Sequence, residues 1–512
     1  MKKVFFLFSL FALLATLGLS SVIDYIPQDA SLVMIMQNNA ENYAKLKTIG
    51  IFGFMLSDFQ LETLLTQQID TFQYTNESFV PSEFWGALGG DIALFVTGEV
   101  NFDKLLSLGE DIQANPESAL NMMDPTAAMD DLEGVLDQMD FCVIVTPAVS
   151  PDLVLKSWGA LFETKLTWGY NESLGMYLQK DNETMLLSLN QKSIDLALSA
   201  KQNNIRNNPN FQALYSKKDW MFFYSKPNTD MQSMMSGMEE ELGITIDPSW
   251  FDKVELGYLF GRVTVQNALV AEMHNQYIYA DQQLKDLAVN SLVDVYNLVK
   301  GVKLPGFAKG IMQVDMPQWF SFLKPLADDI LSQMLSSEEE KDIANQVEGI
   351  MESLTGDARF GVDMNISDTG ETTVDLYGSL GMTKTSGLKE LIEDEGGETL
   401  KTIGNANYSQ IMSRANAESM DLFMVLNPDS LEITTFSPGS IKEKLSTYPA
   451  MDTSATLMEM IDAYSMKKAY GVLFVDISDV LVKLLGMPYP SGVFSEVGVD
   501  MEGNSRLLLV IK

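Results

Sequence analysis

The chain has 512 residues, 46% hydrophobic and 10% aromatic, the composition of a folded protein with cores for two or three domains. It carries 70 acidic and 34 basic side chains, a formal charge of −36. Without a basic footprint to neutralise phosphates, nucleic-acid binding is excluded and charge-driven docking on anionic lipid is disfavoured. Such acidity reads first as solubility outside the cell, with a cation or a basic partner as the functional alternative.

The opening segment, "MKKVFFLFSLFALLATLGLSS", sets Lys2 and Lys3 before an almost unbroken apolar run from Val4 to Leu19. Gly18 and Ser20 supply the small residues of a cut after Ser20. Residues 1–20 are therefore expected to be a cleaved signal peptide. An uncleaved N-terminal anchor is the alternative, because the run is nearly long enough to span a bilayer. No Cys lies near the cut, so a lipoprotein anchor is excluded. No later segment offers a comparable run, and the expected location is extracytoplasmic, periplasmic or secreted by the general secretory route. The single cysteine, Cys142, sits in the apolar run "MDFCVIVTP" and is expected to be a buried thiol in a protein without an internal disulfide.

Further along, "MDFCVIVTPAVSPDLVLKSWGAL" reads as strand, turn and helix, with Pro151-Asp152 starting the helix. "WMFFYSKPNTDMQSMMSGM" repeats that order. "KVELGYLFGRVTVQNALVAEMHNQY" reads as a hairpin turning near Gln266-Asn267, with Phe260-Gly261 placed like Phe360-Gly361. "GIMQVDMPQWFSFLKPL" is a strand running through Val314-Asp315 into a helix. A second helix follows at "SSEEEKDIANQVEGIMESLTG", where Ser337 and Glu340 fit a capping box and Gly356 is the expected stop. Two alternating strands around Asp368-Thr369-Gly370 make a hairpin. "MDLFMVLNPDSLEI" again predicts strand, turn and helix, around Pro428-Asp429. The phrase "YGVLFVDISDVLVKLLG" then repeats the earlier one: with Gly310 set on Gly471, Val314-Asp315 falls on Val475-Asp476. A last hairpin turns at Gly503-Asn504, and Gly-Val-Asp-Met occurs in both hairpins, at Gly361 and Gly498.

Two matched phrases in the same order argue for internal duplication, with the middle helix lost or shortened in the second copy. The expected fold class is α+β. Related modules of strand, helix, optional helix and β-hairpin form mostly antiparallel sheets with helices on one face. The polar stretches "KQNNIRNNPN" and "MTKTSGLKELIEDEGGE" divide an N-terminal domain (21–210), a middle domain (211–385) and a C-terminal domain (386–512).

No catalytic constellation emerges. His274 is the only histidine, so transition-metal sites lack their ligands, and a His-dependent triad would have to use it, with no G-x-S-x-G elbow to support one. Ser-x-x-Lys occurs at Ser321-Lys324, Ser386-Lys389 and Ser465-Lys468 without the companion motifs of penicillin-binding enzymes. No phosphate-binding glycine loop is present. No cofactor is expected; calcium, which needs only oxygen ligands, is the one open cation, at "DMNISDTG". The Gly of that stretch falls at position eight instead of six, which suits a hairpin turn better. Carboxylates are abundant, but runs such as "EEEKD" read as solvated helix starts.

The unusual feature is 31 methionines, clustered in acidic amphipathic segments. Met122, Met123, Met129, Met231, Met234, Met235, Met238, Met458 and Met460 are candidates for an adaptable apolar groove, with core filling as the alternative.

The stretch "IDYIPQDASLVMIMQN", Ile23 to Asn38, resembles the start of an uncharacterised family of bacterial secreted and envelope proteins. Such proteins begin with Pro-x-Asp-Ala before a strand and a helix. Pro27, Asp29 and Ala30 match that start, and "FWGALGGDIALFVTG", Phe84 to Gly98, is similar to its next segment. The resemblance covers about the first hundred residues. It implies an extracytoplasmic location and a repeated α+β build, and it carries over no functional residue.

The leading expectation is a non-catalytic extracytoplasmic binding or scaffold protein, acting on an envelope protein or an apolar ligand. The second is a carrier or chaperone for apolar cargo that uses the Met-rich helices. The third is a carboxylate-based hydrolase.

Overall fold

A computed structural model describes residues 22–76, 79–87, 90–98, 140–226, 244–335, 337–366, 372–394, 399–412, 421–486 and 489–512. The chain folds as two compact units, where the sequence divides into three segments: residues 1–228 with 258–273, and residues 229–257 with 274–512. The expected boundary at 385 falls inside the second unit, whose strands pair across it.

The first unit is built on strands β1 (Leu32–Met36), β2 (Asp91–Thr97), β3 (Asp140–Thr146), β4 (Gly169–Asn171), β5 (Met176–Asp181), β6 (Thr184–Ser188), β7 (Met221–Ser225) and the second part of β8 (Val254–Val265). They lie in the order β8-β7-β1-β2-β3-β6-β5-β4, every neighbour antiparallel. β1 to β3 are apolar at almost every position because both faces of this sheet are covered. One face buries Leu94, Val143 and Leu187 under Phe79, Phe84, Val154 and Trp158. The other buries Ile35, Phe95, Ile144 and Tyr224 under Ile23, Ile194 and Phe211. Helices on one face alone, as expected from the sequence, do not describe this unit. Among the covering helices are α1 (Asn39–Leu46), α2 (Leu61–Thr75), α3 (Pro81–Ala87), α4 (Pro151–Leu161), α5 (Gln191–Ala200) and α6 (Pro209–Leu214). α4 starts where expected: Ser150 accepts from the Asp152 amide, and Pro151 fills the first turn, where no donor is needed.

The second unit holds the end of β9 (Leu269–Tyr279) and a two-stranded ribbon of β10 (Val293–Asp294) and β18 (Lys468–Ala469). Its main strands are β11 (Ala308–Gln313), β12 (Leu354–Ile366), β13 (Thr372–Met382), β14 (Lys401–Ile403), β15 (Ala406–Met412), β16 (Leu422–Asn427), β17 (Ser430–Thr434), β19 (Gly471–Val475), β20 (Val493–Val499) and β21 (Ser505–Ile511). Their order is β14-β15-β16-β17-β13-β12-β11-β19-β20-β21, again antiparallel throughout. The helices are α7 (Gln282–Asn290), α8 (Val295–Val299), α9 (Met316–Met334), α10 (Glu338–Met351), α11 (Ser386–Asp394), α12 (Ile441–Thr447), α13 (Ala455–Tyr464) and α14 (Ile477–Leu485).

The repeated Val-Asp phrase now has a physical meaning. Asp315 caps α9 by accepting from the Gln318 amide, and Asp476 caps α14 by accepting from the Asp479 amide. Each phrase is the point where a strand gives way to a capped helix. The two strands lie side by side, and Ile311 faces Val472, its own partner in the sequence match. Gly310 faces Phe360 on one side, and Gly471 faces Val497 on the other.

Two local expectations are corrected. Pro428-Asp429 does not start a helix. It is the two-residue turn of a β16–β17 hairpin, because Leu431, Ile433 and Thr434 pair with β13 on the far side. Gly356 does not stop α10, which ends at Met351; it lies within β12 at φ +91°, where a Cβ would sit 1.8 Å from the Val314 oxygen. The β7–β8 pair sets Phe260 against Tyr224, and the β11–β12 pair sets Phe360 against Gly310. The Asp368-Thr369-Gly370 turn lies outside the described residues, although Ile366 does pair with Thr372.

Candidate functional site

Strand alternation sends every second side chain to one face, and the registers of the second unit fix which residues share a row. Leu507, Val497, Gly471, Met312, Ala358, Leu380 and Leu431 make one row across seven strands. Leu509, Ser495, Leu473, Gly310, Phe360, Gly378 and Ile433 make the next. Ile511, Val493, Val475, Ala308, Val362 and Leu376 make a third. None of these side chains is charged, and Ser495 alone is polar.

This face is open. Met312 is 45% exposed, Phe360 44%, Leu380 43% and Val497 46%. Seven strands about 4.8 Å apart span roughly 29 Å, and soluble monomers rarely leave an apolar surface of such breadth without a use for it. The face is also concave, with a groove of about 530 Å³ over the seven strands from β21 to β17. Over β19, β11, β12 and β13 large and small residues of the first two rows alternate in both directions. The Phe360 ring lies over Gly310, where a Cβ would come within 1.9 Å of it. Gly471 brings its strand close to β11, and a Cβ there would meet the Ile311 oxygen at 2.8 Å. Over Gly378 nothing lies closer than 3.9 Å.

The charges of these strands alternate to the opposite face, which α14 and its neighbours help to cover. Lys309, Arg359, Asp363, Asp375, Glu432, Glu496 and Arg506 all fall there by register. Lys483 of α14 bonds Asp363 and, at 2.8 Å, Asp479. Burial works against the Lys483 ammonium, but its two carboxylate partners outweigh it and raise its pKa. Burial lowers the pKa of Lys309, against the pull of Asp476, Asp479 and Asp363. Burial also pushes up the Glu496 carboxyl, the Tyr448 phenol that donates to Asp375 at 2.6 Å, and the Tyr377 phenol, the last to about 12.

Of the methionine candidates, Met122, Met123, Met129, Met231, Met234, Met235 and Met238 lie outside the described residues. Met460 is fully buried on α13 and Met458 is half-buried, and neither borders the groove. The groove residues escaped sequence reasoning because alternation does not say which face a helix layer will cover. The nearest signal was the run of charges at the intervening positions of β11 to β13. Ser321-Lys324 lies on α9, where Lys324 pairs with Glu348 and Glu352 of α10; Ser386-Lys389 lies on α11, and Ser465-Lys468 spans the end of α13. His274 lies on β9, and Cys142 is buried in β3, where burial pushes its thiol pKa up. Among the described residues, no three His, Cys, Asp or Glu side chains are grouped to hold a metal ion, and no helix is long and apolar enough to cross a membrane.

No family model, curated protein or solved structure matches the chain.

Proposed function

We propose that this chain is a non-catalytic extracytoplasmic binding protein whose second unit holds an apolar molecule on the open sheet face. The observation that carries the proposal is the three rows above: twenty positions over seven strands without a charge, opening into a concave groove. Binding sites for small molecules are concave, mostly apolar and roughly 300–1,000 Å³ in volume, and the groove of about 530 Å³ falls within that range. The carrier reading thereby moves from the Met-rich helices to the sheet. The leader segment supports the location, and the Pro27-Asp29-Ala30 start supports kinship with bacterial envelope proteins.

The related-module reading belongs to the same proposal and explains why one face is open. Strands β1, β7, β11 and β19 are read as four copies of one strand. The chain carries Ile-Met-Gln at residues 35–37 and again at 311–313. The Gln37 amide donates to the Trp220 oxygen at 2.9 Å, and the Gln313 amide to the Tyr470 oxygen at 2.7 Å. The Trp220 amide donates to Val263 at 2.7 Å, and the Tyr470 amide to Val497 at 2.8 Å. On this reading Leu94, Val143 and Leu187 stand in the first unit where Phe360, Gly378 and Ile433 stand in the second. The first set is buried under its own helices, and the second is left for a ligand.

The test is fluorescence of the uncharged probe N-phenyl-1-naphthylamine with the purified chain. Wild type is expected to bind it. Phe360→Asp and Leu473→Asp, both at exposed positions, are expected to abolish binding without loss of folding, whereas Glu432→Gln on the other face retains it. Undiminished binding in both aspartate variants would overturn the proposal.

A further inference from the structure

Building on the proposed binding role, the chemistry of the groove narrows what can occupy it. Among the described residues its walls offer one hydroxyl, Ser495, and no ionisable side chain; Arg359 and Ser379 border it, but alternation sends their side chains to the other side. A ligand with polar groups along its length would leave them desolvated without partners. The part that enters is therefore plain hydrocarbon.

The small residues set its path. Gly471, Gly310, Ala358 and Gly378 occupy alternating rows on four successive strands, so the small residues zigzag across the strands. Phe360 closes the space over Gly310, and the β11 main chain crowds Gly471. Gly378 is different. A Cβ there would meet only main-chain oxygens, at 3.9 Å, and the residue stands between Phe360 and Ile433. The gap over Gly378 accepts a chain end, and a larger side chain could fill it without disturbing the backbone.

The charge of the whole chain selects the head. With a formal charge of −36 and no lysine or arginine side chain on the face, an anionic head held at the groove mouth meets a repulsive field. A cationic or neutral head does not. Screening over about 8 Å at physiological salt would weaken that preference without removing the hydrocarbon term.

We infer that the ligand is a single-chain amphiphile with a cationic or uncharged head, its hydrocarbon tail lying across β19, β11, β12 and β13 and ending over Gly378. The experiment is displacement of N-phenyl-1-naphthylamine by dodecyltrimethylammonium, dodecyl maltoside and dodecanoate, each below its micelle concentration. It is run in 20 mM and 500 mM NaCl, with near-ultraviolet circular dichroism to verify folding. In low salt the cation and the maltoside are expected to displace the probe at about tenfold lower concentration than dodecanoate, with the gap narrowing in high salt. Gly378→Leu is expected to weaken all three at least tenfold, while Gly349→Ala, in open space on α10, changes nothing. Dodecanoate binding as well as the cation in low salt would overturn the head-group selection. Unchanged binding in a folded Gly378→Leu variant would overturn the chain path. Failure of the wild type to bind the probe at all would instead refute the binding role on which the inference rests.

Discussion

Replacing Lys483 by methionine tests whether the charged side of the second sheet is the side that is held closed. Lys483 reaches from α14 to Asp363, whose side chain is 9% exposed, and also to Asp479; its own side chain is 22% exposed. Methionine keeps the length and apolar stem of the lysine but leaves the Asp363 carboxylate buried directly opposite Asp375 in the β12–β13 register. Removing one partner of a buried pair costs about 3–5 kcal/mol. Lys309 stands close enough to recover part of that, so about 3 kcal/mol is expected. For a unit of this size each kcal/mol moves the midpoint by roughly 2–4 °C, which predicts a fall of about 6–12 °C in the thermal transition of the second unit. Lys483 has its folded-state pKa raised, so its stabilisation is fully present below the unfolded lysine value and lost as pH rises through the folded one. The gap between wild type and variant should stay constant from neutral pH to about 9 and close in strong alkali. Lys483→Met combined with Asp363→Asn should recover most of the loss. A variant melting within about 2 °C of wild type at neutral pH would show that the Asp363 side is solvated, and the assignment of open and covered faces would fall with it.

Two further outcomes follow from the described geometry. Burial raises Asp219 to about 6, against an attraction from Arg262; a raised carboxyl destabilises the fold once ionised, so stability should drop as pH rises from about 4 through 6. Asp219→Asn should remove that drop, gaining about 1–3 kcal/mol at pH 7.5 and nothing at pH 4 in urea titrations. Gly356→Ala should cost at least about 2 kcal/mol by the same titration, because residue 356 sits at φ +91° with the Val314 oxygen where a Cβ would go; a neutral result would place the β11–α9 junction elsewhere.

The sequence by itself determined the mixed α and antiparallel β character and the strand-to-helix junctions at Asp315 and Asp476, though not the strands β4 to β6, β14 and β15. These rest on local physics: alternation, a side chain that can accept from its own helix, and turn residues. Alternation also separated two sets of side chains on β11 to β13, one apolar with Phe360 and Leu380, one charged with Lys309 and Asp363. It could not say which set faces a helix layer, because that depends on residues far away in the chain. In the second unit α14 lies over the charged set and satisfies Asp363 through Lys483, which leaves the apolar set open. In the first unit Phe84 and Trp158 close an apolar face of the sheet. The same limit misassigned Pro428-Asp429, whose neighbours form a strand only because β13 is there to pair with them. The groove likewise exists only in the folded chain, since Gly310, Gly378 and Gly471 come together through strand register across more than 150 residues of sequence.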